Sequence, residues 1–158
     1  MKTAFTIGIA ILAIGPYTTL STELNCANPE RSGTFTRVTD CTLSKEIDLL
    51  GDMKISGKDK SLTTITSAST SRHFKITGSQ KLTLKFLKLQ GGFRSIQTFG
   101  TAHLGGSISI TGNSILKATN CWFYENKANR GGSIYSGTNA LAQIELLDTD
   151  ITKNTVQN

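Results

Sequence analysis

The sequence predicts an all-β fold in which short strands wind as successive coils of a solenoid, and three observations lead there. Composition is the first: the 158-residue chain has 7% aromatic and 18% charged residues, two prolines and fifteen glycines, with abundant Ser and Thr. So few large rings suit a conventional compact core poorly, and β-branched Thr among many turn formers favours strands and tight turns over helix bundles. The second is a series of short alternating segments at roughly ten-residue intervals. The third is an internal repeat: Gly105-Gly106-Ser107-Ile108 returns as Gly131-Gly132-Ser133-Ile134.

Residues 1–21 read as a secretory signal peptide. Met1-Lys2 precedes an apolar run from Ala4 to Tyr17 that carries Gly15-Pro16 near its end, and small residues such as Thr19 and Ser21 follow, placing cleavage near Ser21. The run is too short for a membrane anchor, which needs ~20 residues to cross a ~30 Å hydrocarbon core. A lipoprotein reading through Cys26 fits less well, because Glu23 stands where a small or apolar residue is needed. The mature product is therefore expected outside the cell or at its surface, in an oxidising compartment.

Residues 22–42 are expected to form an N-terminal cap, irregular or closed by a disulfide. Of three cysteines, Cys26 and Cys41 are the candidate pair, closing a loop of about 15 residues and leaving Cys121 over. No metal is expected, since the cysteines are far apart and His73 and His103 are not at ligand spacing.

From residue 43 to residue 158 the strand candidates are Met53-Lys54-Ile55, Thr64-Ile65-Thr66, Phe74-Lys75-Ile76, Leu82-Thr83-Leu84, Ile108-Ser109-Ile110 and Ile144-Glu145-Leu146, bounded by Gly, Ser, Asn or Asp. Strands this short do not hold as isolated hairpins. Stacked coil on coil at ~4.8 Å, they bury the same inward positions against one another. The glycine pairs Gly105-Gly106 and Gly131-Gly132 mark one recurring corner. Phe123-Tyr124-Glu125-Asn126, echoed by Ile151-Thr152-Lys153-Asn154, marks another, where Asn126 and Asn154 would bond the backbone of the neighbouring coil. Leu89-Gln90-Gly91-Gly92 occupies the equivalent place upstream, with glycine replacing the asparagine.

The run from Cys121 to Tyr135, with Phe123-Tyr124-Glu125-Asn126 ahead of Gly131-Gly132-Ser133-Ile134, resembles the repeat of the polymorphic outer membrane proteins, in which F-x-x-N precedes G-G-A-I; serine here stands in for alanine. The segments from Met53 to Gly92 are similar, more loosely, to pectate-lyase-like parallel β-helix proteins. The resemblance implies a right-handed parallel β-helix of about four to five coils and a non-catalytic, adhesin-like role at a cell surface. The chain departs from that family in having no C-terminal β-barrel translocator and no amphipathic capping helix after Ile151. It reads either as a truncated relative or as a chain that stacks its open end on another copy.

Charge points to a ligand class. Formal net charge is +6, and +5 once Lys2 leaves with the leader. Between Asp59 and Glu125 there is no acidic residue, while Lys60, Arg72, Lys75, Lys81, Lys85, Lys88, Arg94 and Lys117 all fall there. Alternation turns Lys81, Thr83 and Lys85 outward together. A row of Lys81, Lys85 and Lys88, with Arg72 and Lys75 adjacent, is therefore expected to bind acidic glycan; the alternative is that these side chains keep the sheet soluble and block edge pairing.

The same dearth of acids argues against glycoside hydrolysis, which needs two carboxyl groups flanking the scissile bond, and against a calcium-dependent lyase. Asp148-Thr149-Asp150 resembles the Asn-Thr-Asp of polygalacturonases in passing, without that family's Gly-His-Gly and Arg-Ile-Lys elements. A small lyase or hydrolase is the alternative function. Thr63-Thr64-Ile65-Thr66 also raises ice binding, but the Thr-x-Thr pattern does not recur with the coil. His73 and His103 read as surface or spacer residues, and Trp122 with Phe123 as packing rather than a sugar platform. No cofactor and no nucleic-acid partner are expected.

Overall fold

The computed structural model describes residues 23–58, 61–93, 104–137 and 141–157. The expected leader at 1–21, and Lys60, Arg94 and His103, lie outside them. The described residues form strands and turns without a helix. A first pass comprises β1 (Gly33–Val38), β2 (Cys41–Thr42) and β3 (Ile47–Asp48). The second holds β4 (Met53–Gly57), β5 (Thr63–Thr66) and β6 (Phe74–Ile76). The third holds β7 (Lys81–Lys85), β8 (Leu87–Gln90) and β9 (Ile108–Ile110). The fourth holds β10 (Ile115–Thr119), β11 (Trp122–Tyr124), β12 (Lys127–Ala128) and β13 (Ile134–Ser136). The last comprises β14 (Gln143–Leu147), β15 (Asp150–Thr152) and β16 (Thr155–Val156).

The first four passes visit sheets A, B and C in the same order, and the last contributes strands to A and B among the described residues. Sheet A is β1-β4-β7-β10-β14, sheet B is β2-β5-β8-β11-β15, sheet C is β3-β6-β9-β13, and β12 pairs with β16. All these pairings are parallel. Register carries apolar residues directly over one another. Ile55, Leu84, Ala118 and Leu146 make one column in sheet A; Ile65, Leu89, Phe123 and Ile151 make one in sheet B; Ile47, Phe74, Ile108 and Ile134 make one in sheet C. Through the first four passes these columns are the core, and Ile55, Ile65, Phe74, Leu84, Leu89, Ile108 and Phe123 are completely buried. Period-two alternation then sends the polar residues between them outward.

The glycine pairs and asparagines hold the corners. Gly105 and Gly131 both have positive φ, 70° and 60°. A Cβ on Gly106 would stand 2.2 Å from the Gly132 carbonyl oxygen, so only glycine lets these backbones approach. Asn126, fully buried, accepts the Gly92 N–H at 2.8 Å and donates to the Leu89 carbonyl at 3.1 Å, one pass up. Asn154 repeats the device one pass down, accepting the Asn126 N–H and donating to the Phe123 carbonyl, both at 2.8 Å.

Two further corners depend on left-handed backbone that the sequence does not advertise with glycine. Phe86, Asn120 and Asp148 (φ 54°, 50° and 47°) follow sheet A in successive passes, and Glu125 and Lys153 (φ 52° and 53°) follow sheet B beneath Gly91.

Strand pairing starts earlier than expected. β1 lies inside the segment anticipated as a cap, yet pairs with β4 and buries Phe35 and Val38. Arg37, at φ 60°, interrupts its alternation and shifts the register, which hides the strand in the sequence. Residues 23–32 cover this end: Leu24 and Cys26 are buried, Ser44 N–H donates to the Cys26 carbonyl, and Leu50 N–H donates to the Arg31 carbonyl. At the other end, Ile144, Leu146, Ile151 and Val156 continue the apolar columns but are 40–58% exposed.

Candidate binding faces

The outward face of sheet A gathers lysines from three successive strands. Lys54 of β4, Thr83 of β7, Lys117 of β10 and Glu145 of β14 form one column, flanked on β7 by Lys81 and Lys85. Lys117 is ion-paired with Glu145. Among the described residues no carboxylate pairs with Lys54, Lys81 or Lys85. Strand spacing of ~4.8 Å and rise of ~3.4 Å per residue put these three ammonium groups within about 15 Å of one another at the backbone. A shallow groove between Thr34, Asp52, Lys54, Lys81 and Thr83 runs beside them. The Asp52 side chain is engaged there, accepting the Lys81 backbone N–H at 2.9 Å.

Lys81, Lys85 and Lys88, expected as one row with Arg72 and Lys75 adjacent, are distributed over different sheets. Lys81 and Lys85 share sheet A, but Lys88 is on sheet B, Lys75 on sheet C, and Arg72 lies just before β6. Phe86 causes the separation: its left-handed backbone turns the chain between β7 and β8, so Lys85 and Lys88 face different directions. Arg72 is internal. Its Nε donates to Glu46 Oε2 at 2.7 Å and its Nη1 to the Leu104 carbonyl, tying the first and third passes together from a buried position. Lys75 pairs with Asp48 at 3.4 Å. Lys54 joins the face instead, because register with Thr83 and Lys117, invisible in linear sequence, stacks it there.

Sheet B presents a different surface. Thr64, Lys88, Trp122 and Asp150 form one outward column; Thr42, Thr66, Gln90, Tyr124 and Thr152 form the other. The Trp122 and Tyr124 rings lie 4.6 Å apart, tilted by 58°. Lys88 Nζ stands 4.7 Å from the first ring centre and 4.3 Å from the second. Trp122 Nε1 donates to Thr152 Oγ1 at 2.7 Å, and Lys153 Nζ donates to Tyr124 Oη at 2.7 Å, a hydrogen bond that raises the lysine pKa. Phe123 is core, as anticipated from the sequence, whereas Trp122 stands outward beside Tyr124. Alternation across Trp122-Phe123-Tyr124 is the signal that would have separated them.

His73 is completely buried, contrary to the surface or spacer role expected of it. Its Nε2 lies 3.0 Å from the Ile65 carbonyl, which fixes the proton there, and its Nδ1 accepts from Ser107 Oγ at 3.1 Å. Burial lowers its pKa to about 4. Ser107 is equally inaccessible, so this pair bridges two passes and cannot meet a substrate.

Cys26 and Cys41 form a disulfide, and Cys121 is a free, buried thiol whose pKa burial raises. Asp148 sits at a left-handed corner and Asp150 on sheet B, both exposed. Asp40, at the far end of the Asp150 column, offers no second carboxyl within reach: four strand spacings separate them, ~19 Å. Its Oδ1 already accepts the Thr64 N–H at 2.6 Å. No grouping of three or more His, Cys, Asp or Glu able to hold a metal occurs among the described residues. No family model matches the chain, and neither a curated protein nor a solved structure matches it significantly.

Proposed function

We propose that the chain is a right-handed parallel β-helix acting as an exported, non-catalytic binding protein, adhesin-like, whose sheet A face holds acidic polysaccharide at a cell surface or in the extracellular space. The observation that carries the reading is the convergence of Lys54, Lys81 and Lys85 on one face without carboxylate partners among the described residues. The parallel crossover rule favours right-handed winding, since each sheet receives its next strand after an excursion through the others. A cluster of ammonium groups spaced over two neighbouring strands suits a repeating polyanion better than a small molecule, because spaced charges are read by spaced charges. The Cys26–Cys41 disulfide is in keeping with an oxidising compartment.

One pairing of acids is too wide for glycoside hydrolysis: Asp40 and Asp150 are about 19 Å apart along the stack, at least twice the ~5–9.5 Å that such chemistry uses. Affinity electrophoresis in gels containing polygalacturonate or alginate tests the proposal. The mature chain should be retarded, less so as salt rises, and a Lys54→Ala, Lys81→Ala, Lys85→Ala variant should migrate freely. Release of unsaturated products or reducing ends from either polymer would replace binding with the lyase or hydrolase alternative.

A further inference from the structure

Nothing in the sheet A reading uses the outward face of sheet B, which carries a different chemistry. We propose that this face is a second, independent carbohydrate site, specific for neutral polysaccharide, with Trp122 and Tyr124 as its stacking platform. Sugar rings present one face of aliphatic C–H groups and an equator of hydroxyls. A site for them combines half-buried aromatic rings with short-range donors and acceptors. Trp122 and Tyr124 are half-buried and adjacent, and both are held: the indole by Thr152, the phenol by Lys153, and the pair together by the Lys88 ammonium. Rings fixed in advance lose little freedom when a ligand lands.

The polar half of the site lies on the same two columns. Above the rings come Gln90 and Lys88, then a groove lined by Asp40, Thr42, Thr64 and Thr66. Polar side chains thus follow one another at ~4.8 Å strand spacings, Thr42 then Thr64 and Thr66 then Lys88 and Gln90 ahead of the rings, comparable to the advance of one sugar along an extended glycan. A glycan lying parallel to the stack meets the groove at one end and the rings at the other. Charge selects the glycan class. Asp40, Glu125 and Asp150 offset Lys88 and Lys153 on and beside this face, whereas sheet A carries lysines without carboxylate partners among the described residues. A polyanion gains nothing here that sheet A does not offer more strongly.

Trp122 is the single tryptophan of the chain, so its emission reports this face alone. The intact mature protein is titrated with laminarin, hydroxyethyl cellulose and galactomannan as neutral probes and with polygalacturonate as the charged one. At least one neutral polymer should change Trp122 emission saturably, with an affinity unmoved by salt. Tyr124→Ala should weaken that binding about tenfold or more, as expected for an aromatic hot spot, while Tyr124→Phe retains it. Circular dichroism confirms that each variant folds. The lysine-to-alanine triple variant of sheet A should keep the neutral-polymer response, which separates this site from the one proposed above. The proposal is overturned if none of the three neutral polymers alters the emission, if folded Tyr124→Ala binds as tightly as the parent, or if polygalacturonate alone perturbs Trp122.

Discussion

The side-chain oxygen of Asn154 accepts two hydrogen bonds from Asn126 in the pass above, one from the backbone N–H at 2.8 Å and one from the side-chain amide at 2.9 Å. Asn126 in turn serves Gly92 and Leu89 in the pass above itself. The two asparagines therefore make a continuous ladder through the corner after sheet B. There a sharp bend leaves backbone donors and acceptors without strand partners, and a buried orphan costs about 1–3 kcal/mol.

Asn126→Ala should accordingly be among the most damaging substitutions in the chain. It removes bonds to Gly92 and Leu89 from a site closed to water, and we expect a loss of about 3 kcal/mol in urea unfolding. Asn154→Ala, in the exposed last pass, should cost about 1 kcal/mol. Equal losses at the two positions would contradict a ladder whose strength depends on burial.

A pH-dependent loss of stability should trace to His73. Its folded pKa is lowered to about 4 from 6.5, so between those values the unfolded chain binds more protons than the folded one and stability falls with acidification. The contribution is fully present above the unfolded value, is lost progressively below it, and is gone by about pH 4; the whole amounts to about 3 kcal/mol. Urea midpoints measured from neutral pH down to about pH 4 should decline in the parent. His73→Gln, although less stable at neutral pH, should show a flatter profile.

Gly106 and Gly91 should respond very differently to alanine. At Gly106 the new methyl group would sit 2.2 Å from the Gly132 carbonyl oxygen and 2.5 Å from the Lys127 nitrogen, forcing two passes apart. At Gly91 nothing lies within 4 Å, and the cost is that of a left-handed alanine, about 1 kcal/mol. Gly106→Ala should fail to give soluble folded protein or melt far below the parent, while Gly91→Ala melts only a few degrees lower.

Reducing the Cys26–Cys41 bond should loosen the covered end first. The two cysteines are separated by 15 positions, and closing that loop contributes about 3 kcal/mol of stability in the chain-entropy treatment. Hydrogen exchange after reduction, or in Cys26→Ser with Cys41→Ser, should show lost protection in β1 and β2 while Phe123 and Ile108 keep theirs. Uniform loss along the chain would indicate that the cap is coupled to every pass.

Much of the backbone plan was legible in the chain itself. Ile108 and Ile134 pair in register, and so do Phe123 and Ile151, because the chain spends nearly the same length returning to each of these sheets and so keeps a common beat. Earlier passes do not keep it: Gly33 pairs with Met53, Met53 with Leu82, and Lys81 with Ile115, offsets that differ from one pair to the next. A repeat of changing length leaves no periodic trace, so nothing in the chain marks β1 to β3 as the first pass of the stack. The left-handed corners at Phe86, Glu125 and Lys153 are equally silent, since none is glycine or asparagine.

Local order was readable from the chain at most strands and corners: which strand side chains alternate inward, the glycine pairs at one corner and the recurring asparagines at another, with Arg37 and His73 as exceptions. These are local properties, governed by a period of two and by backbone sterics. Which outward residues meet is set by pairing between passes. Lys85 and Lys88 are close in sequence and face different ways, whereas Lys54 and Lys117, distant in sequence, lie two strands from each other in one column. Corners and register set that arrangement, and both depend on contacts between passes.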